Sequence, residues 1–190
     1  MRRRDDLIGP KLRSVLATLC LIVSPLASAV SIDDWLSETH EGRLYKTNMG
    51  ECVLENGQVI EACRLTFRTY GRLAPDLSNI VLMPTWLNGN AEGLSTYNYL
   101  GPDGIVDTDD YFVIAVNALG NGSSSSPSNS AQSPFPRFTI RDQVSLQHEL
   151  LTEHLDIEHL HAVVGASMGG YQTYESVSYT HLRAHETRFY

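Results

Sequence analysis

Leu160-His161-Ala162-Val163-Val164-Gly165-Ala166-Ser167-Met168-Gly169-Gly170 decides how this chain is read. It begins as a short apolar run, the signature of a buried strand. It ends in a glycine two residues either side of Ser167, which fits the G-x-S-x-G turn between a strand and a helix. A turn that tight leaves room only for glycine at those two places. Its strain lifts the serine Oγ out at the carboxyl end of the sheet, where the N-terminus of the next helix favours developing negative charge. Glycine and serine are common, so the pattern gains weight only from a strand before it and a helix after it. The strand is plain, and Tyr171 to Glu175 begins the helix. The bland alternative is a Gly-rich turn with a bystander serine. Ser167 is the candidate nucleophile, and the Met168 N–H is a candidate donor to an oxyanion.

Working back from this turn, Thr139 opens a helix, with Asp142 three residues on to complete its cap. Ile140, Val144, Gln147, Leu151 and Leu155 share one face, mostly apolar. Asn117 to Arg137 reads as a long loop with serines at 123 to 126; a domain linker is the other reading of it. Tyr111 to Val116 and Asn79 to Met83 are apolar runs and read as buried strands. Between them Pro84 to Ala91 is a loop, followed by a short helix toward Leu100. Leu65 to Tyr70 alternates like a half-buried strand, and Tyr70 to Pro75 is a turn. Unbroken apolar strands alternating with helices predict an α/β fold, a mostly parallel sheet flanked by helices. Ser31 to Thr47 is polar and carries no assignable pattern.

Cys52 and Cys63 flank Asn56-Gly57, a strong hairpin signal. A two-residue turn sets Cys52 opposite Glu61, whereas a four-residue loop over Asn56 to Val59 sets it opposite Cys63. Free cysteines are equally compatible with the sequence.

Both ends lie outside this domain. Arg2, Arg3, Arg4, Lys11 and Arg13 precede the apolar run Val15 to Val23, and Ala27-Ser28-Ala29 follows. That order predicts a secretory signal peptide over residues 1–29, cleaved after Ala29. The apolar run is short for a bilayer, so no stable membrane insertion is expected after cleavage; an uncleaved anchor is the alternative. Export to the periplasm or the extracellular space would permit a disulfide. At the far end, Ser176 to Thr187 back-translates, with permitted codons, into a transposase-type sequencing-library adapter. Residues 176–190 are therefore expected to be non-native, leaving 30–175 as the domain, and His181 and His185 are expected to carry no function.

The 190 residues carry a formal net charge of -8, which leaves no electrostatic footprint for nucleic acid. An oxyanion hole needs a second N–H, expected from the loop Trp86-Leu87-Asn88-Gly89. Each such donor is worth about 3–4 kcal/mol of barrier. Trp86 and Asn88 could equally pack and cap that loop. His148, His154, His159 and His161 precede the turn and read as surface or structural.

As a set, Tyr70-Gly71, Asn79 to Leu82, Leu100-Gly101-Pro102, Asp107-Thr108, Tyr111 to Ile114, Asn117 to Gly120, Phe138 to Asp142, Gln147, Leu150-Leu151 and Gly165 to Gln172 resemble the homoserine O-acetyltransferase group of α/β hydrolases. The resemblance runs from about Leu65 to Gln172. It implies the N-terminal part of an α/β-hydrolase fold, ping-pong acyl transfer through an acyl group on Ser167, and oxyanion N–H groups from Leu87 and Met168. It implies no metal and no tightly held cofactor; the partner is a small acyl ester or thioester. In this fold the acid and the histidine of the triad follow the serine, beyond the native sequence here, so the fragment is expected to be inactive. Pro84-Thr85-Trp86-Leu87-Asn88-Gly89 stands where the transferases carry His-Ala-Leu-Thr-Gly, and Asn121 to Asn129 differs from their loop. With export, these departures favour an ester hydrolase. A homoserine O-acetyltransferase using acetyl-CoA and a non-catalytic exported binding domain are the alternatives.

Overall fold

The computed structural model describes residues 32–179 and 183–189. The predicted signal peptide lies outside the described residues, as does His181. In chain order the elements are α1 (Ile32–Trp35), β1 (Thr39–Val53), β2 (Val59–Arg72), β3 (Ile80–Pro84), α2 (Ala91–Thr96), β4 (Leu100–Gly101), β5 (Val106–Asp107), β6 (Phe112–Val116), α3 (Ile140–Glu149), β7 (His159–Gly165), α4 (Met168–Tyr179) and β8 (Arg183–Phe189). A π-helical turn, Leu150–His154, prolongs α3.

One sheet runs β1-β2-β6-β3-β7-β8, and β4 with β5 forms a small parallel pair. The β3, β6, β7 and β8 pairings are parallel, whereas β1–β2 and β2–β6 are antiparallel. The sheet is thus mixed, with its parallel part carrying the G-x-S-x-G turn. The apolar runs of β3, β6 and β7 follow from burial on both faces. Ile80, Leu82, Phe112, Ile114, Leu160 and Val163 point into one core with Trp35, Leu146 of α3 and Leu150 of the π-helical turn. Val81, Met83, Val113, Ala115, Ala162 and Val164 point into the other, with Ala91 and Leu94 of α2. Strand period two sends neighbouring residues to opposite faces, so neither face can be polar.

The segment without an assignable pattern holds α1 and most of β1. It buries Trp35, which lies edge to face against the Phe67 ring, and His40, which lies edge to face against Phe112.

The hairpin corrects the expected registers. Leu54 N–H donates to Gln58 O at 2.8 Å and Gly57 N–H to Leu54 O at 2.8 Å, closing a three-residue loop with Gly57 at φ 79°. Cys52 then faces Ile60, not Glu61 or Cys63. A bulge puts one more residue on β2 than on β1 between this pair and Gly50–Cys63, and the disulfide Cys52–Cys63 forms across it with the Cα atoms 5.6 Å apart. The hairpin tip docks on α3. Glu55 N–H donates to Asp142 Oδ1 at 2.8 Å, while Asp142 Oδ2 completes the capping box at Thr139 N–H, 2.7 Å.

The serine-rich loop is not a linker. Ser124, Ser125 and Ser126 are buried. Beyond the end of β6 they take over its role beside β2. Ser125 N–H donates to Arg64 O at 2.9 Å, Arg64 N–H to Ser125 Oγ at 2.8 Å and Thr66 N–H to Ser124 Oγ at 3.0 Å. Buried main-chain groups must be paired, and short hydroxyl side chains pair them without a regular strand.

β8 falls in the adapter-like stretch and lies parallel to β7. Ladder hydrogen bonds are made by main chain, so any extended segment can occupy a free parallel edge.

Candidate active site

The turn after β7 has the geometry its sequence requires. Ser167 sits at φ 55°, in the left-handed region that a side chain enters only under constraint, and it is solvent-exposed between buried Gly165 and buried Gly169. A Cβ at Gly165 would overlap the Gly169 carbonyl and lie 2.5 Å from Thr173 Oγ1. A Cβ at Gly169 would lie 2.5 Å from Pro84 O. The two glycines thus let α4 close against β7 and β3. Ser167 O accepts from Gly170 N–H at 2.9 Å and Tyr171 N–H at 3.3 Å, which starts the helix. The first N–H groups of a helix have no partner within it, and Met168 is the first residue of α4.

The second expected donor lies on the loop after β3. Gly89 N–H donates to Trp86 O at 3.0 Å and Asn88 lies at φ 60°, which makes Trp86 to Gly89 a tight turn. Leu87 occupies its second position and is exposed. The N–H at that position takes no part in closing the turn. Trp86 packs rather than facing the turn's hydrogen bonds. Its ring lies over Gly89 and Gly93 and meets Tyr99 at 5.6 Å and Tyr97 at 6.0 Å between centroids.

Side chains distant in sequence hold this loop. Thr85 N–H donates to Val116 O at 3.1 Å, and Thr85 Oγ1 accepts from Ala118 N–H at 3.0 Å. Asn117 Oδ1 accepts from Ala91 N–H at 2.8 Å, and its Nδ2 donates to Thr66 Oγ1 at 3.0 Å. Asn121 Nδ2 donates to Gly89 O at 3.1 Å and to Asn117 Oδ1 at 3.1 Å. From the other side Gln172 of α4 donates from Nε2 to Thr85 O at 3.0 Å, while its Oε1 accepts from Gln147 Nε2 at 2.6 Å. Asn117, Gln147 and Gln172 are all buried. Sequence reading placed Gln147 on the apolar face of α3 but missed this network.

Among the described residues the Ser167 hydroxyl has no hydrogen-bond partner, and His148, His154, His159 and His161 make none with it. His161 instead meets the Tyr111 ring at 4.9 Å between centroids. His40 is a buried titratable group whose surroundings shift it. Burial lowers its pKa, partly offset by the Trp35 main chain and Glu38, while its Nδ1 lies 2.6 Å from Thr69 Oγ1. Among the described residues no group of three His, Cys, Asp or Glu is placed to hold a metal ion, and no helix is long and apolar enough to cross a membrane.

Strand, left-handed serine, helix and the neighbouring loop coincide with a known family, the alpha/beta hydrolase fold, which matches residues 78–174. The chain belongs to that family. The ethyl acetate hydrolase of Pseudomonas veronii is 40% identical over 148 residues, covering 76% of this chain and 42% of that enzyme. The homoserine O-acetyltransferase of Methanococcoides burtonii is 37% identical over 158 residues, covering 73% of this chain and 32% of that enzyme. Among solved structures, an acetylester hydrolase from Corynebacterium glutamicum matches with TM-score 0.71 and 39% identity, covering 76% of this chain and 43% of that one. The α/β-hydrolase chain described here therefore spans less than half the length of these relatives. Both esterases and homoserine O-acetyltransferases stand among its relatives, as the resemblance implied.

Proposed function

We propose that the complete protein is a serine-dependent acyl-transfer enzyme that hydrolyses small acyl esters. Ser167 Oγ attacks the ester carbonyl, and the Met168 and Leu87 N–H groups receive the oxyanion. The tetrahedral adduct expels the alcohol to leave acyl-Ser167. Water then attacks the acyl carbon and releases the acid, returning the proton to the serine. The observation that carries this reading is the exposed Ser167 at φ 55° at the N-terminus of α4. A nucleophile placed there meets a helix end that favours negative charge. The base and its orienting acid belong to sequence after the elbow, so the 190-residue chain by itself is expected to turn over no ester.

Water as acceptor draws support from the likeness to an ethyl acetate hydrolase and an acetylester hydrolase, together with the altered loops. The likeness to homoserine O-acetyltransferases keeps a second reading in view, in which homoserine takes the acyl group. Export with cleavage after Ala29 is part of the proposal. The Cys52–Cys63 bridge supports it, because disulfides persist in oxidising compartments. The N-terminal mass of the mature protein tests that part, and recovery of the gene past Glu175 tests the proposed domain limit of 30–175.

The catalytic test uses the complete gene product. A fluorophosphonate probe should add once, at Ser167, and acetyl esters should be hydrolysed without any acceptor. Accumulation of acyl-enzyme until homoserine is added would replace hydrolase with transferase. Absence of any adduct would leave an exported binding domain as the reading.

A further inference from the structure

We propose that Gln172 is a positioning residue that sets the distance between the two oxyanion donors, an inference resting on the reading of Ser167 as nucleophile. The Met168 N–H belongs to the first turn of α4, and the Leu87 N–H belongs to the loop after β3. These two segments are far apart in sequence, and among the described residues no main-chain ladder joins them. Gln172 joins them. It lies one helical turn after Met168, so its side chain falls on the same face of α4. From there Nε2 reaches Thr85 O at 3.0 Å, and also approaches Met168 O at 3.4 Å.

The Thr85 carbonyl fixes the plane of the Thr85–Trp86 peptide, and that peptide leads directly into the turn carrying Leu87. Rotation of this plane would swing the Leu87 N–H away from the proposed oxyanion position. Thr85 is already held by its own N–H on Val116 O and its hydroxyl on Ala118 N–H. Those two bonds tie it to β6 and to the loop that follows. Among the described residues only the Gln172 hydrogen bond ties it to the helix beside Ser167.

Gln147 keeps the Gln172 amide in this orientation. Its Nε2 donates to Gln172 Oε1 at 2.6 Å, so Oε1 is the acceptor and Nε2 is left to face Thr85. Gln172 has no exposed surface and Gln147 is 2% exposed. A flipped amide would set a carbonyl against the Thr85 carbonyl with no water to screen it, a buried unpaired arrangement that costs free energy. The pair therefore behaves as a fixed strut and not as a mobile surface contact.

A side chain that only fills space would be replaced well by methionine. A strut with a required donor would not. In the complete enzyme, Gln172→Met keeps the volume and removes the donor. Gln172→Glu keeps the length, and its carboxyl can donate to Thr85 O only while protonated. Active sites are counted first with the fluorophosphonate, so that misfolded protein drops out of the rate. Per titrated site, Gln172→Met should lower kcat by about 10- to 100-fold, below the loss expected for deleting a donor outright. KM should stay within about threefold, because the ground-state carbonyl needs the donors less than the oxyanion does. Binding of a trifluoromethyl ketone, which forms a serine hemiketal anion, should weaken by the same factor as kcat. Gln172→Glu should keep more activity than Gln172→Met at low pH and lose that advantage as pH rises. If Gln172→Met lowers only thermal stability, with kcat per site and ketone affinity within about twofold of the parent, Gln172 merely packs and the proposal is wrong. If the unsubstituted enzyme takes up no phosphonate at Ser167, the nucleophile reading fails first and this one falls with it.

Discussion

The elbow at Gly165–Gly169 and the loop at Thr85–Gly89 are each proposed to offer one main-chain N–H to the oxyanion, yet their shapes have different origins. The elbow is held largely by its own sterics. A Cβ at Gly165 collides with the Gly169 main chain four residues on, while a Cβ at Gly169 collides with Pro84 O of β3. The loop closes its own turn through Gly89 N–H on Trp86 O, but its place is fixed from elsewhere. Its Thr85, Gly89 and Ala91 main-chain groups are held by Gln172, Asn121 and Asn117, side chains from three other places in the sequence. One turn is shaped mostly by near neighbours and the other is held mostly by the tertiary fold. Such a division should make the elbow intolerant of small changes in its own sequence, and the loop sensitive to changes far from it.

The largest expected effect is at the atom both regions serve. Ser167→Ala in the complete enzyme should lower kcat by roughly 10⁴-fold or more and abolish the phosphonate adduct, as removal of an acylated nucleophile does. Residual activity above that level would detach both regions from the chemistry. Next comes the elbow itself. Gly165→Ala should cost about 3 kcal/mol of stability, since the obstacles are main chain that cannot move aside. Gly170→Ala, whose Cβ would come no closer than 3.3 Å to Gly165 O, should cost less than about 1 kcal/mol. Chemical denaturation of the two variants gives the contrast; equal losses would mean that the elbow is not sterically fixed.

The loop should respond at a distance. Asn117→Ala removes the acceptor of Ala91 N–H and the donor to Thr66 Oγ1. It should cost about 1–3 kcal/mol and lower kcat per titrated site by several-fold with little change in KM. An unchanged kcat would show that the loop keeps its shape without its remote supports. Reducing Cys52–Cys63 should remove about 2–3 kcal/mol, through greater freedom of the unfolded chain, while leaving kcat per site the same. Loss of turnover without unfolding would mean that the hairpin tip, bonded to the α3 cap, reaches the site through Arg141, which pairs with Glu55 and with Glu175 of α4.

The smallest effect is electrostatic. Burial lowers the pKa of His40 from the ordinary histidine value of about 6.5, so the unfolded chain takes up this proton more readily than the folded one. Stability from His40 is therefore complete above about pH 6.5 and falls as the pH drops from there toward the folded pKa. In denaturation curves at several pH values, His40→Gln should flatten that slope. An unchanged slope would place the titration elsewhere.

Cys52–Cys63 and Ser123 to Ser126 show where sequence reading stops. Asn56-Gly57 announces a hairpin, and Gly57 does take the left-handed position, but the bulge between Gly50 and Cys52 has no signature in the residue types. A single added residue changes which side chains face each other, and both registers considered from the sequence missed it. The four serines read as part of a long loop by composition. Ser124, Ser125 and Ser126 are buried beside β2, which continues past the end of β6 and whose N–H groups need acceptors.

By itself the sequence determined what depends on near neighbours. The unbroken apolar runs of β3, β6 and β7, the Thr139–Asp142 cap and the Gly165–Gly169 elbow are each written in consecutive or closely spaced residues, so they leave a pattern in the chain. The tertiary structure alone decided the pairing of β1 with β2 in its bulged register, the burial of His40, and the network of Thr85, Asn117, Asn121, Gln147 and Gln172 around the Leu87 turn. Those bonds join polar side chains to main-chain groups as many as 87 residues away. No periodicity marks them, because a hydrogen bond of this kind depends on where the sheet brings two segments together and not on the spacing of residues along either one.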